Sequence, residues 1–398
     1  MHSLRFKQTL FNVGHRILNK LNVKLSYSLV SLPTIKIHMP SNIYSVITGT
    51  GSYIPKKVVK NADFLQHEFY ENNGTPIKKN NQEVIDKFEE ITTITERRYA
   101  LDEYTTSDIA FFAAEKAIEN AGIDKEELDH IIVAHNFGDT TPTNKEVNIV
   151  PSIATKVKFL LKIKNPDCVA YDLLFGCPGW LQGMIQADYY IKSGDAKKVL
   201  IIGAEVLSRI SDPHDRDSMI YADGAGATIL EAKESETPIG IIGHKTRTDS
   251  YYHSKMLAMG ESYKNNGFTK GEIFMKMNGR RLYQYALETV PQTVKECLDT
   301  CKVHPSEVKK LLIHQANGKM DDAILQRLFK LYEIDEVPEN FMPMTIAKLG
   351  NSSVATIPTL LDLIERGKLP PHKINKEDTI VFASVGAGMH INTIVYKV

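Results

Sequence analysis

Tyr171-Asp-Leu-Leu-Phe-Gly-Cys-Pro-Gly-Trp180 is the stretch on which the reading of this chain turns. Just upstream, Cys168-Val-Ala-Tyr171 predicts a short buried strand. Downstream, residues 178–193 predict a helix, with Trp180, Leu181, Met184, Ile185, Ala187 and Ile191 on its apolar side and Gly194 as its stop. Pro178 suits the first helical position, where no backbone N–H is needed, and that places Cys177 at the N-cap. A thiol there faces the positive end of the helix dipole, which favours the nucleophilic thiolate. Gly176 and Gly179 let a bound carbonyl come close to the backbone. A lone cysteine is more often a small buried hydrophobe, but the strand–Gly–Cys–Pro–Gly–helix setting favours a nucleophile.

The rest of the composition narrows the class. With 398 residues, 42% of them hydrophobic, the chain is long enough for one large core or two fused domains. A formal net charge of +0 gives no reason to expect nucleic acid as a partner. Cys168, Cys177, Cys297 and Cys301 have neither metal-ligand spacing nor the density of a secreted disulfide scaffold, so a reducing cytoplasm and no bound metal are expected. No apolar run has the length of a membrane span. Residues 1–41 stand apart: they carry Arg5, Lys7, Arg16, Lys20, Lys24 and Lys36, and no acid precedes Asp63. Leu10, Val13, Ile17 and Leu21 sit at helical spacing, which also suits a membrane-surface or targeting segment. We expect a dispensable extension, with Met39 as an alternative start.

From Ile43 a strand enters Gly49-Thr-Gly51, which reads as a tight structural turn because the third glycine of a phosphate loop is missing. Ser107 predicts a cap for a helix over 108–120, stopped by Gly122. A buried strand follows over 131–136, a helix over 151–161, the Cys177 unit, a strand over 199–206, and a glycine-rich turn into a strand over 221–230. Residues 234–238 are the expected boundary between halves spanning 42–234 and 235–398. In the second half, a long amphipathic helix containing Leu282, Tyr285, Ala286, Val290, Val294 and Leu298 leads to Glu307-Val-Lys-Lys-Leu-Leu-Ile-His-Gln-Ala-Asn317. That run echoes Glu127-Leu-Asp-His-Ile-Ile-Val-Ala-His-Asn136, and a duplicated helix-then-strand unit is the simplest explanation. Helices alternating with apolar strands imply an α/β fold with sheets covered on both faces.

Three further groups carry chemistry. His314 ends the Leu311-Leu-Ile strand, where open α/β sheets place ligands. Gly350-Asn-Ser-Ser-Val-Ala-Thr-Ile-Pro358 reads as a glycine turn entering a helix, with Asn351 near the N-cap. Val381-Phe-Ala-Ser-Val-Gly-Ala-Gly-Met389 is a strand running into a turn that can bring backbone N–H groups to a reacting carbonyl. Cys, His and Asn together suggest nucleophilic acyl chemistry, although spacing alone does not join them. A papain-like hydrolase uses the same residue types, but its cysteine belongs near the start of its domain in a different local motif.

With Gly176-Cys-Pro-Gly, Asp212-Pro-His-Asp-Arg216, Asp223-Gly-Ala-Gly-Ala, His314-Gln-Ala-Asn and Gly350-Asn-Ser-Ser in the family's order, the chain resembles β-ketoacyl-acyl-carrier-protein synthase III, the initiating ketosynthase of the thiolase superfamily, from about Ile43 to Val398. The resemblance implies a five-layered αβαβα sandwich of two similar halves, normally a homodimer, and no cofactor. It implies that Cys177 takes an acyl group from a thioester. His314 and Asn351 would then hold the enolate formed as malonyl-acyl-carrier-protein loses carbon dioxide. The Cys177 N–H, with Gly386, Ala387 and Gly388, would hold the oxyanion of the acyl step. A degradative thiolase would have a second cysteine in the C-terminal glycine turn, and an elongating ketosynthase would have a second histidine in place of Asn351.

Some positions depart from the family pattern. Lys87 and Ile91 stand where a Trp and an Arg usually clamp the adenine of coenzyme A, which favours a carrier-protein donor over coenzyme A. Val150 and Val385 stand where two Phe rings narrow the acyl pocket, so a longer or bulkier acyl chain is expected. Lys319 falls where the family has a basic contact to the carrier's phosphopantetheine. The Phe-Gly-Cys-Pro-Gly-Trp wording resembles ketosynthases of dialkylresorcinol and aryl-polyene pathways, which join a β-ketoacyl unit to an unsaturated acyl thioester. That is the alternative reading. A second alternative is an inactive thiolase-fold partner subunit, against which the intact Cys, His and Asn set argues.

Overall fold

The computed structural model describes residues 42–143, 147–264 and 272–398, so the basic extension expected at 1–41 lies outside it. In chain order the strands are β1 (Asn42–Tyr53), β2 (Lys57–Lys60), β3 (Glu96–Tyr99), β4 (His130–Ala134), β5 (Val169–Leu173), β6 (Lys198–Val206), β7 (Asp223–Ser235), β8 (Gly240–Thr248), β9 (Leu257–Gly260), β10 (Phe274–Met277), β11 (Val308–Ile313), β12 (Thr379–Gly386) and β13 (His390–Lys397). The principal helices are α1 (Asn81–Thr92), α2 (Thr106–Ala121), α3 (Ile153–Leu160), α4 (Gly179–Ser193), α5 (Gly279–Cys301), α6 (Gly318–Lys330) and α7 (Thr356–Glu365).

Two mixed sheets carry the architecture, in the orders β1-β7-β6-β4-β5 and β8-β13-β12-β11. In the first, β1 is antiparallel to β7 and β7 to β6, while β6, β4 and β5 run parallel. The second repeats those senses: β8 antiparallel to β13, β13 to β12, and β12 parallel to β11. Thus β1, β4, β6 and β7 correspond to β8, β11, β12 and β13. The echo between Glu127–Asn136 and Glu307–Asn317 falls on the equivalent strands β4 and β11.

Period-two alternation in strands that are apolar throughout sends side chains into cores on both faces. Outside the first sheet, Ile109 and Ala113 of α2 and Val157 of α3 pack on Ile131, Val133, Leu200 and Ile202. Between the sheets, Trp180, Met184 and Ile185 of α4 and Leu360 and Ile364 of α7 meet Ile132 and Ile201 on one side and Leu312, Phe382 and Ile394 on the other. Outside the second sheet, Val290 and Val294 of α5 and Ile324 and Leu328 of α6 cover Leu311, Ile313 and Val381. The layers therefore run αβαβα. Each fully buried aliphatic side chain contributes roughly 2 kcal/mol of transfer free energy, so these cores outweigh the exposed ion pairs. No helix among the described residues is long and apolar enough to cross a membrane.

Several local expectations are corrected. Helix α4 starts at Gly179 with Pro178 (φ −73, ψ 1) as its N-cap, so Cys177 lies one residue outside the helix. The turn closes instead through Gly179 N–H donating to the Gly176 carbonyl at 2.9 Å. Strand β5 is a half-exposed sheet edge, not a buried strand, because only β4 pairs with it. Helix α2 begins at Thr106, capped by a Thr105–Asp108 box, and Ser107 instead donates to the Asp139 carboxylate. Gly49 and Gly51 are not a turn: β1 runs through them with a bulge between Ile47 and Gly49. They are glycine because a Cβ on either would fall 2.4 Å from a backbone oxygen of α2 (Ala117 and Ala113, respectively). Gly224 and Gly226 likewise lie inside β7 and not in a turn before it.

Candidate active site

The repeat puts chemistry at one end of both halves. Cys177 precedes α4, and Asn351 and Ser353 precede its counterpart α7. Beyond the equivalent strands β4 and β11 come Asn136 and His314. These five residues, with Gly386 at the end of β12 and Ala387 just past it, line a single cavity of about 170 Å³. Its walls are largely apolar and include Met259, Met275, Met277, Met320 and Val385. The cavity shares Ile220, Met277, Leu282, Ala316 and Met320 with a groove of about 1000 Å³.

Cys177 is held by close backbone packing. A Cβ on Gly176 (φ +67) would meet the Ala387 nitrogen at 2.8 Å, so the 176–177 and 386–387 segments pack backbone to backbone. The Ser353 hydroxyl donates to Cys177 Sγ at 3.3 Å. Burial pushes the thiol up to about 11, with the Ser353 hydrogen bond opposing and the nearby Glu205 carboxyl adding to the rise. The thiolate bias expected from a helix N-terminus is therefore outweighed. The sulfur borders the apolar cavity, and its residue sits before the cap rather than on it.

His314 is buried, and its backbone N–H donates to the Ala383 carbonyl at 2.9 Å. Burial pushes its imidazole down to about 4, with a hydrogen bond to the Ser353 backbone in opposition, so the ring is neutral at ordinary pH. No described residue pairs with Nδ1. The neighbouring Gln315 is structural: its Oε1 accepts from the N–H groups of Thr345 (2.8 Å) and Ile346 (3.0 Å), and its Nε2 donates to Pro343 O (2.9 Å). Asn317 caps α6.

Asn351 is clamped at both ends of its backbone, donating to Ile220 O at 3.0 Å and accepting from Ala222 N–H at 2.8 Å. Its Oδ1 accepts from Ser353 N–H at 2.8 Å, which leaves the Nδ2 amide for another acceptor. It is not the N-cap of α7, because a 3₁₀ turn over Ser353–Ala355 intervenes. Gly350 (φ +68) packs against the fully buried Arg97, which donates to Met219 O, Val59 O and Asn61 Oδ1 and so braces the strand end beside Asn351.

Reading the sequence missed three residues of the site. Asn136 Nδ2 donates to Ser353 Oγ at 3.2 Å and to Glu205 Oε1. Glu205 is buried on β6, and burial pushes its carboxyl up to about 8. The available signals were an acid inside the apolar run 199–206, the asparagine closing the first copy of the echo, and the second serine of Gly-Asn-Ser-Ser.

The remaining candidates are scattered. Val385 lines the cavity. Gly388 (φ +80) is packed against the His390 ring, which stacks on Phe175 at 4.0 Å. Val150 is 82% exposed, away from the cavity of its own chain. Lys87 and Ile91 border the groove; Lys87 pairs with Glu90 at 2.9 Å, and Lys319 reaches Glu90 at 3.7 Å. A thiol, a neutral imidazole and a carboxamide donor around an apolar cavity suit attack on a thioester and stabilisation of an enolate.

Known proteins resemble this chain in sequence and fold. Residues 171–250 match the model of 3-oxoacyl-[acyl-carrier-protein] synthase III, and residues 298–398 match that of its C-terminal part. The chain is 34% identical over 351 residues to β-ketoacyl-[acyl-carrier-protein] synthase III 1 of Vibrio parahaemolyticus, covering 87% of this chain and 97% of the relative. It is 32% identical to the β-ketoacyl-[acyl-carrier-protein] synthase III of Ehrlichia canis, covering 89% and 99%. The crystal structure of 3-oxoacyl-[acyl-carrier-protein] synthase III from Aquifex aeolicus aligns with a TM-score of 0.70 at 29% identity, covering 89% of this chain and 100% of that one.

Proposed function

The chain belongs to the 3-oxoacyl-[acyl-carrier-protein] synthase III family, and on that premise we propose how its residues divide the work. The protein is an acyltransferase with a thiolase-like fold. Its reaction is the decarboxylative Claisen condensation of an acyl thioester with malonyl-acyl-carrier-protein.

In the first step Cys177 Sγ attacks the donor's thioester carbonyl. The new S–C bond forms, the donor's C–S bond breaks, and the proton lost by Cys177 leaves on the donor thiol. The Cys177 N–H and the 386–388 turn face the transient oxyanion. In the second step the malonyl thioester loses carbon dioxide. The electron pair enters an enolate that accepts hydrogen bonds from His314 Nε2–H and Asn351 Nδ2–H. Its carbon then attacks the acyl-Cys177 carbonyl, the acyl C–S bond breaks to release the β-ketoacyl-carrier, and the Cys177 thiolate left behind takes a proton from water. A neutral imidazole fits this role, since it donates a proton-bearing nitrogen without adding charge. Each such donor supplies roughly 3 kcal/mol of transition-state stabilisation. The observation that carries the reading is the single cavity lined by Cys177, His314 and Asn351.

The proposal extends to the partners. A carrier-borne donor is favoured because Lys87 and Ile91 at the groove mouth offer no aromatic–arginine clamp for an adenine; Lys319 beside it is a carrier contact. A homodimer is favoured because the β5 edge is flanked by exposed Val150, Phe159, Val169 and Leu174, an apolar rim that a second copy would cover. On this reading residues 42–234 supply the nucleophile, residues 235–398 supply His314 and Asn351, and cysteine usage supports a cytoplasmic setting.

Acyl-carrier and acyl-coenzyme A donors of graded chain length, followed by intact mass measurement, test the assignment. Carrier donors should leave an acyl adduct on Cys177, and Cys177→Ala should take none. An adduct that persists in Cys177→Ala would overturn it.

A further inference from the structure

We propose that Glu205, Asn136 and Ser353 form a directed hydrogen-bond chain that holds the Cys177 sulfur in its reactive form, with Asn136 and Glu205 as positioning residues acting through the Ser353 hydroxyl. The inference rests on Cys177 being the acyl-accepting nucleophile.

Among the described residues no cation lies against the sulfur to favour the thiolate. Facing it are the carboxyl of Glu205, the phenol of Tyr221 and the neutral ring of His314. Stabilisation of the charged form then falls to hydrogen bonds, and the side-chain donor given to the sulfur among the described residues is Ser353 Oγ, at 3.3 Å. A hydroxyl has one proton and a free rotor, so it serves the sulfur reliably only if another group donates to its oxygen. Asn136 Nδ2 does so at 3.2 Å. With its lone pair engaged by an N–H, the Ser353 proton is left to point at Sγ.

Asn136 would lose this role if its amide turned over. Glu205 favours the present orientation, because its Oε1 accepts from the same Nδ2. The backbone of Ser353 is equally committed. It lies at φ +53, a region that non-glycine residues seldom occupy, and Asn351 Oδ1 holds its N–H there at 2.8 Å.

Charge decides the sign of each effect. An ionised Glu205 opposes the thiolate, whereas a protonated Glu205 keeps its carbonyl on Asn136 without adding a second negative charge. Burial and the nearby Asp223 of β7 both favour the protonated form, and the charge of Arg209 acts on Asp223. Ser353 and Glu205 substitutions should therefore move cysteine reactivity in opposite directions.

The test is the rate of Cys177 alkylation by iodoacetamide from pH 6 to pH 10 (a range chosen to span ordinary thiol titration), read by intact mass with Cys177→Ala as the blank. Ser353→Ala should slow alkylation about tenfold across this range, the effect of losing one hydrogen bond to a charged group. Ser353→Gly, which suits the left-handed backbone, should do the same and covers the case in which the alanine variant fails to fold. Asn136→Ala should move the profile the same way by less. Glu205→Gln keeps an acceptor for Asn136 and should speed alkylation on the alkaline side. Profiles of both Ser353 variants that superimpose on the wild type, or a Glu205→Gln profile that slows with them, would overturn the proposal. If donors never acylate Cys177 while the alkylation pattern appears as stated, the hydrogen-bond chain stands and the nucleophile reading falls.

Discussion

Gly386 and Cys177 approach so closely that a Cβ on Gly386 would lie 2.5 Å from the Cys177 backbone nitrogen and 2.9 Å from its Cβ. The requirement is for space: Gly386 has extended backbone at φ −163, which any residue adopts. The atoms that would be struck are the Cys177 backbone nitrogen, its Cβ and the Pro178 ring, and none of them can swing aside. Gly386→Ala should push the turn off the Cys177 N–H and cost the oxyanion a donor. We expect acyl-enzyme formation to fall by roughly two orders of magnitude in a protein that still folds, measured as single-turnover acylation by intact mass. Wild-type acylation rates in Gly386→Ala would remove the 386–388 turn from the proposed oxyanion site.

His314 makes stability depend on pH in a fixed direction. Its folded-state ionisation is pushed down to about 4, below the ordinary histidine value, so between the two values the unfolded chain binds a proton that the folded chain does not. The group's contribution is fully present above the unfolded value and is lost as pH falls toward the folded one. The loss amounts to roughly 3 kcal/mol. His314→Asn removes the titration. Urea unfolding at pH 7 and pH 4 should therefore show the wild type losing more stability than the variant over that window. Equal losses would mean the imidazole is not buried as a neutral ring.

How much of this was legible in the chain depends on the range of the physics involved. The cysteine turn, the alternation of helix and strand and the echo between 127–136 and 307–317 are local patterns, and each marked a real element. The misread glycines show the limit. Gly49, Gly51, Gly224 and Gly226 look like turn residues, but the reason for the first two lies in helix α2, which crosses β1 within 2.4 Å of a would-be Cβ. Gly226 similarly meets Thr359 N at 2.7 Å. Chain-local signals carry no trace of such crossings. The same holds for Glu205 and Asn136, whose meaning arises only when two strand ends and the turn before α7 converge. Pro178 was misplaced by a single residue, and that was enough to change the expected electrostatics of Cys177.

Asn351 offers a way to separate the two half-reactions. Its Oδ1 is taken by Ser353 N–H, so on the proposed roles only Nδ2 is available to the enolate. Asn351→Asp keeps the acceptor and replaces the donor with an oxygen. Acylation of Cys177 by a donor thioester should survive within about tenfold, whereas malonyl decarboxylation should fall by roughly two to three orders of magnitude. Release of labelled carbon dioxide, measured alongside the acyl-enzyme mass, checks both. An equal loss in the two half-reactions would argue for a structural role through the Ile220 and Ala222 clamp.

Val385 bears on which acyl chains the cavity takes. It lies near the end of β12 against the Cys177 pocket, is 8% exposed, and shares the walls of a cavity of about 170 Å³ with flexible methionines. A ring at this position would take up much of that space, while the methionines would yield only in part. Val385→Phe should leave acetyl transfer within a few-fold of wild type and lower kcat/KM for donors of eight or more carbons (a length chosen to exceed the narrowed pocket) by about tenfold or more, in keeping with what a few methylenes contribute in an apolar pocket. Overpacking should cost about 1–3 kcal/mol of stability, so each donor is compared with acetyl in the same variant rather than with the wild type. A uniform loss across all chain lengths would show that the acyl group does not lie along Val385.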